Sequence, residues 1–95
     1  MYDYIVSDKL LKILRKIGKK DKDLYEKILK KIDEIRQSDN IDHYKNLRYG
    51  LQDLKRAHIG HFVLLFWYNK KTNTIYFYNF EHHDMVYKKS YKQKI

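Results

Sequence analysis

The spacing of apolar residues changes near residue 45, and that change restricts the fold more than any other feature of the chain. Before it, apolar residues recur at three- and four-residue steps: Leu10, Ile13, Leu14 and Ile17, then Leu24, Ile28, Ile32 and Ile35. Such steps place one apolar stripe along one face of an α-helix. After it they gather in short aromatic and β-branched runs, of which Phe62-Val63-Leu64-Leu65-Phe66-Trp67-Tyr68 is the most apolar. A chain of 95 residues has room for one modest core. Both halves must therefore share it, as a helical layer set against a sheet in a single domain spanning residues 1–95.

Local signals fill in the order. Tyr2, Tyr4, Ile5 and Val6 read as a short strand, and Ser7 is placed to cap the helix that follows. Gly18 with Lys19-Lys20 is expected to end that helix, and Asp21 or Asp23 to favour the amino end of the next. In the second helix Lys27, Lys30, Lys31 and Glu34 fall opposite the stripe, which completes a helix hairpin. Residues 51–59, 62–68 and 74–80 read as three antiparallel strands, the last two joined by Asn69-Lys70-Lys71-Thr72-Asn73. The run at 62–68 is apolar on both faces, so it belongs at the centre, covered by the helices on one side and by the tail on the other. Residues 85–95 are expected to form a short amphipathic helix. The predicted fold is α+β in the order β-α-α-β-β-β with a short C-terminal helix, the helix hairpin packed on an antiparallel sheet.

Composition narrows the function classes. With 43% hydrophobic residues the chain can pay for folding despite 35% charged content. The absence of cysteine excludes disulfides, thiolate catalysis and cysteine–zinc sites. No apolar run approaches the ~20 residues that span a bilayer, and Met1-Tyr2-Asp3-Tyr4 lacks a signal peptide's basic start. A cytoplasmic protein with no membrane partner is the expectation. Net charge is +9, and it is uneven. Residues 1–40 carry eleven Lys and Arg against eight Asp and Glu, whereas residues 41–95 carry ten against four, together with all five histidines. A one-sided basic excess favours a polyanion, most often nucleic acid, over a merely solvated lysine face.

Chemistry concentrates in Phe80-Glu81-His82-His83-Asp84-Met85-Val86-Tyr87. Two imidazoles, two carboxylates and a phenol crowd the exit of an aromatic strand, and histidine is the side chain that exchanges a proton near neutrality. If the chain turns helical there, His83 and Tyr87 share a face. Metal-free RNA cleavage needs groups of this kind: the substrate's own 2′-hydroxyl is the nucleophile, and the protein moves two protons and stabilises a phosphorane. A metal site built from His58, His61, His82, His83, Asp84 and Glu81 is the weaker reading. Helix-spaced histidine pairs are absent, and the adjacent His82 and His83 diverge on an extended chain. No metal and no cofactor are expected.

The order of elements, the basic strand with Leu47, Arg48, Leu51, Lys55, Arg56 and His58, the apolar Phe62-Val63-Leu64-Leu65-Phe66 and the closing Glu81-His82-His83-Asp84-Met85-Val86-Tyr87 together resemble the RelE/ParE toxin superfamily over nearly the whole chain. The ending looks like that of RelE-type toxins. Ala57-His58 before an apolar strand, and His83 with an aromatic residue four positions on, look most like the YafQ branch. The resemblance implies the toxin of a type II toxin–antitoxin system. It would be a metal-independent endoribonuclease that cuts mRNA in the ribosomal A site, against ribosomal RNA, and so stops translation. A RelB-like antitoxin, acidic and wrapped around the toxin, would hold it inactive, and the pair could bind operator DNA.

Carried onto this chain, the resemblance makes His58 and His83 the acid/base histidines, Tyr87 the functional aromatic and Arg56 the cation at the scissile phosphate. Lys45, Arg48, Lys55, His61, His82, Lys88 and Lys89 are the expected RNA contacts. Lys45 stands where the YafQ pattern has histidine, His61 lies near its aspartate, and Val63 replaces an arginine that RelE carries at the start of its apolar strand. Each site residue also has a plainer reading as surface or strand-face packing. The alternative function is a non-catalytic or ParE-like binding protein, acting on DNA gyrase or as an antitoxin-bound co-repressor, for which an imidazole pair has no use. A general RNA-binding domain stacking bases on Tyr76, Tyr78 and Phe80 is a third reading, weakened because that strand also supplies core.

Overall fold

The computed structural model describes residues 2–44 and 54–88, with the side chains of residues 87 and 88 excepted. Its elements are β1 (Asp3–Val6), α1 (Asp8–Lys20), α2 (Lys22–Arg36), a 3-10 turn at Ile41–His43, β2 (Lys55–Ile59), β3 (Phe62–Asn69), β4 (Thr74–His82) and α3 (His83–Lys88). The α+β order expected from the sequence is the one observed. The strands lie in the order β1-β4-β3-β2. β2, β3 and β4 pair antiparallel as expected, but β1 joins β4 in parallel, from Asp3 opposite Thr74 to Val6 opposite Phe77. The sheet is therefore mixed, because the helix hairpin between β1 and the later strands returns the chain in the same direction.

Helix boundaries show where local and tertiary signals compete. Ser7 caps α1 as expected: its Oγ accepts the Leu10 N–H at 3.0 Å and donates to the Tyr78 carbonyl at 2.6 Å. Gly18 does not end the helix, which runs on to Lys20. A Cβ at Gly18 would stand 3.4 Å from the Tyr25 ring of α2, an ordinary van der Waals contact, so the packing of the two helices does not demand a glycine there. The chain turns instead at Asp21, which both closes α1 and caps α2 by accepting the Leu24 N–H at 3.0 Å.

Two cores sandwich the sheet. On one face Leu10 and Leu14 of α1 and Ile28, Ile32 and Ile35 of α2 pack against Leu64, Phe66, Ile75, Phe77 and Phe80. Each such side chain contributes roughly 1.5–3 kcal/mol by leaving water. An irregularity in the β3–β4 register between Leu65 and Phe66 inserts one extra residue on β4, which turns both Phe77 and Phe80 toward the helices. On the other face Val63 and Leu65 are covered by Val86 of α3, with Leu54 and Tyr78 around them. The apolar run of β3 is buried on both sides, as its composition required. Helix α3 is the lid of the smaller core, and it begins two residues before the expected tail helix.

Candidate active site

Strand parity decides which side chains of β2 reach the face under α3. Ala57 and Ile59 enter the larger core, so Arg56 and His58 point the other way, opposite Leu65 and Val63 of β3. The chain then turns tightly at Gly60-His61, where Gly60 has a φ of 61°, a backbone state that costs glycine nothing. β4 ends beside this hairpin tip. The His83 N–H donates to the His61 carbonyl at 2.8 Å, which pins the first residue of α3 against the tip.

The pinning brings together two histidines that are far apart in sequence. The rings of His58 and His83 stand 5.7 Å apart between centroids, tilted by 34°, and both remain open to solvent. Burial of its inner edge, then the Arg56 guanidinium, then His83, hold the His58 imidazole below the usual histidine range. His58 is therefore neutral at pH 7 and can accept a proton. Asp84 places its carboxylate 3.7 Å from Nδ1 of both His82 and His83. Its backbone N–H also donates to His82 Nδ1 at 3.2 Å. A second imidazole pair lies at the rim: His61 and His82 are nearly parallel, 6.2 Å apart and inclined by 17°.

Of the residues singled out in the sequence, His58, His83 and Arg56 fall on the face under α3, whereas His82 stands opposite Phe62 on the face of the larger core, with the His61 ring against it. Tyr87 and Lys88 lie on α3, but their side chains fall outside the described residues, as do Lys45, Arg48 and Lys89 entirely. Lys55 lies apart from these. It sits at the opposite parity from Arg56, its Nζ donating to the Tyr44 carbonyl at 3.3 Å and lying 3.7 Å from the Asp42 carboxylate, with only 13% of the side chain exposed. Its ammonium ties the 3-10 turn to β2 and does not reach the imidazoles. Asp84, not among the site residues expected from the sequence, lies 3.7 Å from Nδ1 of both histidines of the β4–α3 junction; its adjacency to them was the available signal.

The same face continues away from the imidazoles as an aromatic row. Trp67 stacks on Tyr76 across the β3–β4 pair at 4.2 Å, Ile5 of β1 lies opposite Tyr76, and Lys9 reaches over the Tyr78 ring at 5.7 Å. Among the described residues no three His, Cys, Asp or Glu side chains are grouped closely enough to hold a metal ion. No helix among them is long and apolar enough to cross a membrane.

No family model matches the sequence. Individual proteins do. The chain is 48% identical over 90 residues to a protein of Methanocaldococcus jannaschii assigned as the toxin RelE4, covering 94% of each. Among solved structures, the isolated RelE toxin of Escherichia coli superposes with a TM-score of 0.70 at 21% identity over 100% of both chains. The toxin in the intact E. coli RelBE toxin–antitoxin complex gives a TM-score of 0.69 at 21% identity, over 86% of this chain and 96% of that one.

Proposed function

The chain belongs to the RelE toxin family, and from that premise we propose that this toxin of a type II toxin–antitoxin system is a ribosome-dependent endoribonuclease that cuts mRNA without a metal. The observation that carries the reading is the His58–His83 pair, two imidazoles 5.7 Å apart with Arg56 next along the same strand face. A purely binding protein has no need of that arrangement. The histidine held neutral, His58, takes the proton from the 2′-hydroxyl as its oxygen bonds to the adjacent phosphorus. His83 gives a proton to the departing 5′-oxygen as the phosphorus–oxygen bond breaks. Arg56 offsets the charge that gathers on the phosphorane. Tyr87, one helical turn beyond His83 on α3, contributes its phenol to the same substrate. The products are a 2′,3′-cyclic phosphate and a 5′-hydroxyl.

The partners follow from charge and from the relatives. A net charge of +9 suits the ribosomal A site, where phosphates of mRNA and ribosomal RNA surround the toxin. The E. coli relative is found in complex with its antitoxin; here too a RelB-like antitoxin of acidic character is the inhibitor, and the complex is a candidate for operator DNA. The test is expression without antitoxin, followed by mapping of mRNA ends on programmed ribosomes. Wild type arrests translation and leaves cyclic phosphate ends, a 2′-deoxy residue at the cut site blocks cleavage, and His83→Ala relieves the arrest. A harmless wild type, or one that halts DNA replication while translation continues, overturns the enzyme reading.

A further inference from the structure

Most aromatic residues of β3 and β4 serve a core, but two do not. Phe66, Phe77 and Phe80 fill the larger core and Tyr78 packs against the smaller one, whereas Trp67 and Tyr76 belong to neither among the described residues. They stack on each other instead, with centroids 4.2 Å apart and rings 11° from parallel, and Trp67 stays 37% exposed. Trp67 has the strand parity of Val63 and Leu65, and those two residues oppose His58 and Arg56 of β2. The indole therefore stands on the same sheet face as the imidazole pair. Along β3 it lies four residues from the His58 row and two from the Arg56 row, about 13 and 7 Å at the ~3.3 Å rise of a strand.

We propose that Trp67 is a stacking platform for one unpaired base of the mRNA being cut, a base further along the strand than the scissile phosphate. Helix α3 lies over Val63 and Leu65, so the RNA follows the β2 side of the face. Leaving the His58–His83 pair, it meets Arg56 within a nucleotide's reach and the indole after a similar step. Bases of single strands stack on such rings whatever their identity. The contact with Tyr76 holds the indole in place before RNA arrives, so little side-chain freedom is lost on binding. Cations border the platform: Arg56 toward the imidazoles, and Lys9, whose Nζ lies 5.7 Å over the Tyr78 ring. Beyond it Asp3, opposite Thr74, is an anion, and the track ends there. With a net charge of +9 the chain suits a polyanion. An apolar protein segment would instead lean on Ile5, 50% exposed and opposite Tyr76, as heavily as on Trp67. The platform rests on the ribonuclease reading and adds to it a hold on the substrate away from the cut.

Single-turnover cleavage of ribosome-bound mRNA at rising toxin concentration tests it. Trp67→Ala should raise the half-saturating concentration about 5- to 150-fold, the range for removing one aromatic from a base stack, and leave the rate at saturation near that of wild type. Trp67→Phe should restore most of the loss, and Ile5→Ala should bind as wild type does. A base-free sugar placed in turn at each mRNA position around the cut should weaken wild type by a similar factor at one position away from it. There Trp67→Ala should cost little more, since both changes remove the same stack. Four results overturn the platform and leave the ribonuclease standing: Trp67→Ala with unaltered binding; Trp67→Phe no better than alanine; no base-free position at which the two losses overlap, which would move the contact to ribosomal RNA; or Ile5→Ala as costly as Trp67→Ala, which would make it a protein-binding surface. A wild type that neither binds nor cuts RNA overturns both.

Discussion

Helix α3 carries His83 and is six residues long, too short to hold its shape alone. What holds it is Val86, 1% exposed against Val63 and Leu65, together with the His83–His61 backbone bond. Val86→Ala removes two buried carbons at ~0.8 kcal/mol each, about 1.6 kcal/mol before any cavity cost. At tenfold per 1.4 kcal/mol this lowers the docked-to-undocked ratio of α3 about 15-fold. The observable is amide hydrogen exchange at His83, Tyr87 and Lys88, which should quicken by that factor if the helix opens locally. Ile32→Val, in the larger core, is the control: it should speed exchange at sites that open only by global unfolding and leave the three α3 amides unchanged. If Ile32→Val speeds them equally, α3 opens only when the whole domain does, and the two-core description is wrong. If Val86→Ala leaves them unchanged, the smaller core does not hold the helix.

Three further outcomes are expected. His58 is held below the usual histidine range, so between that value and ~6.5 the unfolded chain binds more protons than the folded one. Stability should be complete above pH ~6.5 and fall as pH drops through the folded value; by NMR titration Arg56→Gln should move His58 back up, and the acid limb of the cleavage profile with it. Ser7→Ala removes both the α1 cap and the bond to the Tyr78 carbonyl, and denaturant unfolding should register a loss of about 1–2 kcal/mol. Gly60→Ala meets no atom within 4 Å, so its cost is backbone strain alone, about 1 kcal/mol at a positive φ; a much larger loss would mean that the hairpin tip is packed.

Much of the fold was legible because burial imposes a period. The stripes at Leu10, Leu14, Ile28, Ile32 and Ile35 and the unbroken run of β3 each name the surface they must cover. What period cannot show is pairing over distance. The four residues of β1 fit a sheet in either direction, and only the returning helix hairpin sets them parallel to β4. Gly18 was misread because a helix-stop signal is local, whereas the helix ends at Asp21, whose N–H bonds the Ile17 carbonyl and whose side chain caps α2. The place of Lys55 was not legible for a related reason: the length of the basic strand was visible, but its parity depends on which residue opposes Phe66. His58 and His83 could be named from their chemistry and from resemblance. Their meeting depends on two hairpin registers that composition leaves open.

Val63 links these registers to the site. The family resemblance expects an arginine where this chain has a valine, and the structure gives the valine a use. It lies between His58 and Glu81 in the sheet and is 1% exposed beneath Val86. A guanidinium there would have to stay buried beside a histidine or lift α3 off the sheet, and burying a charge without a partner costs several kcal/mol. The apolar residue instead lets α3 dock and sets His83 beside His58. The nearest positive charge on that strand face is Arg56, two cross-strand pairs along at Leu65, where burial first and the guanidinium second hold His58 below the usual histidine range. On the proposed ribonuclease reading one cation would serve both the phosphate and the base, so Arg56→Gln should lower the cleavage rate at neutral pH as well as shift its acid limb. Lys at that position should preserve the shift and recover only part of the rate, because an ammonium lacks the two-pronged contact with phosphate.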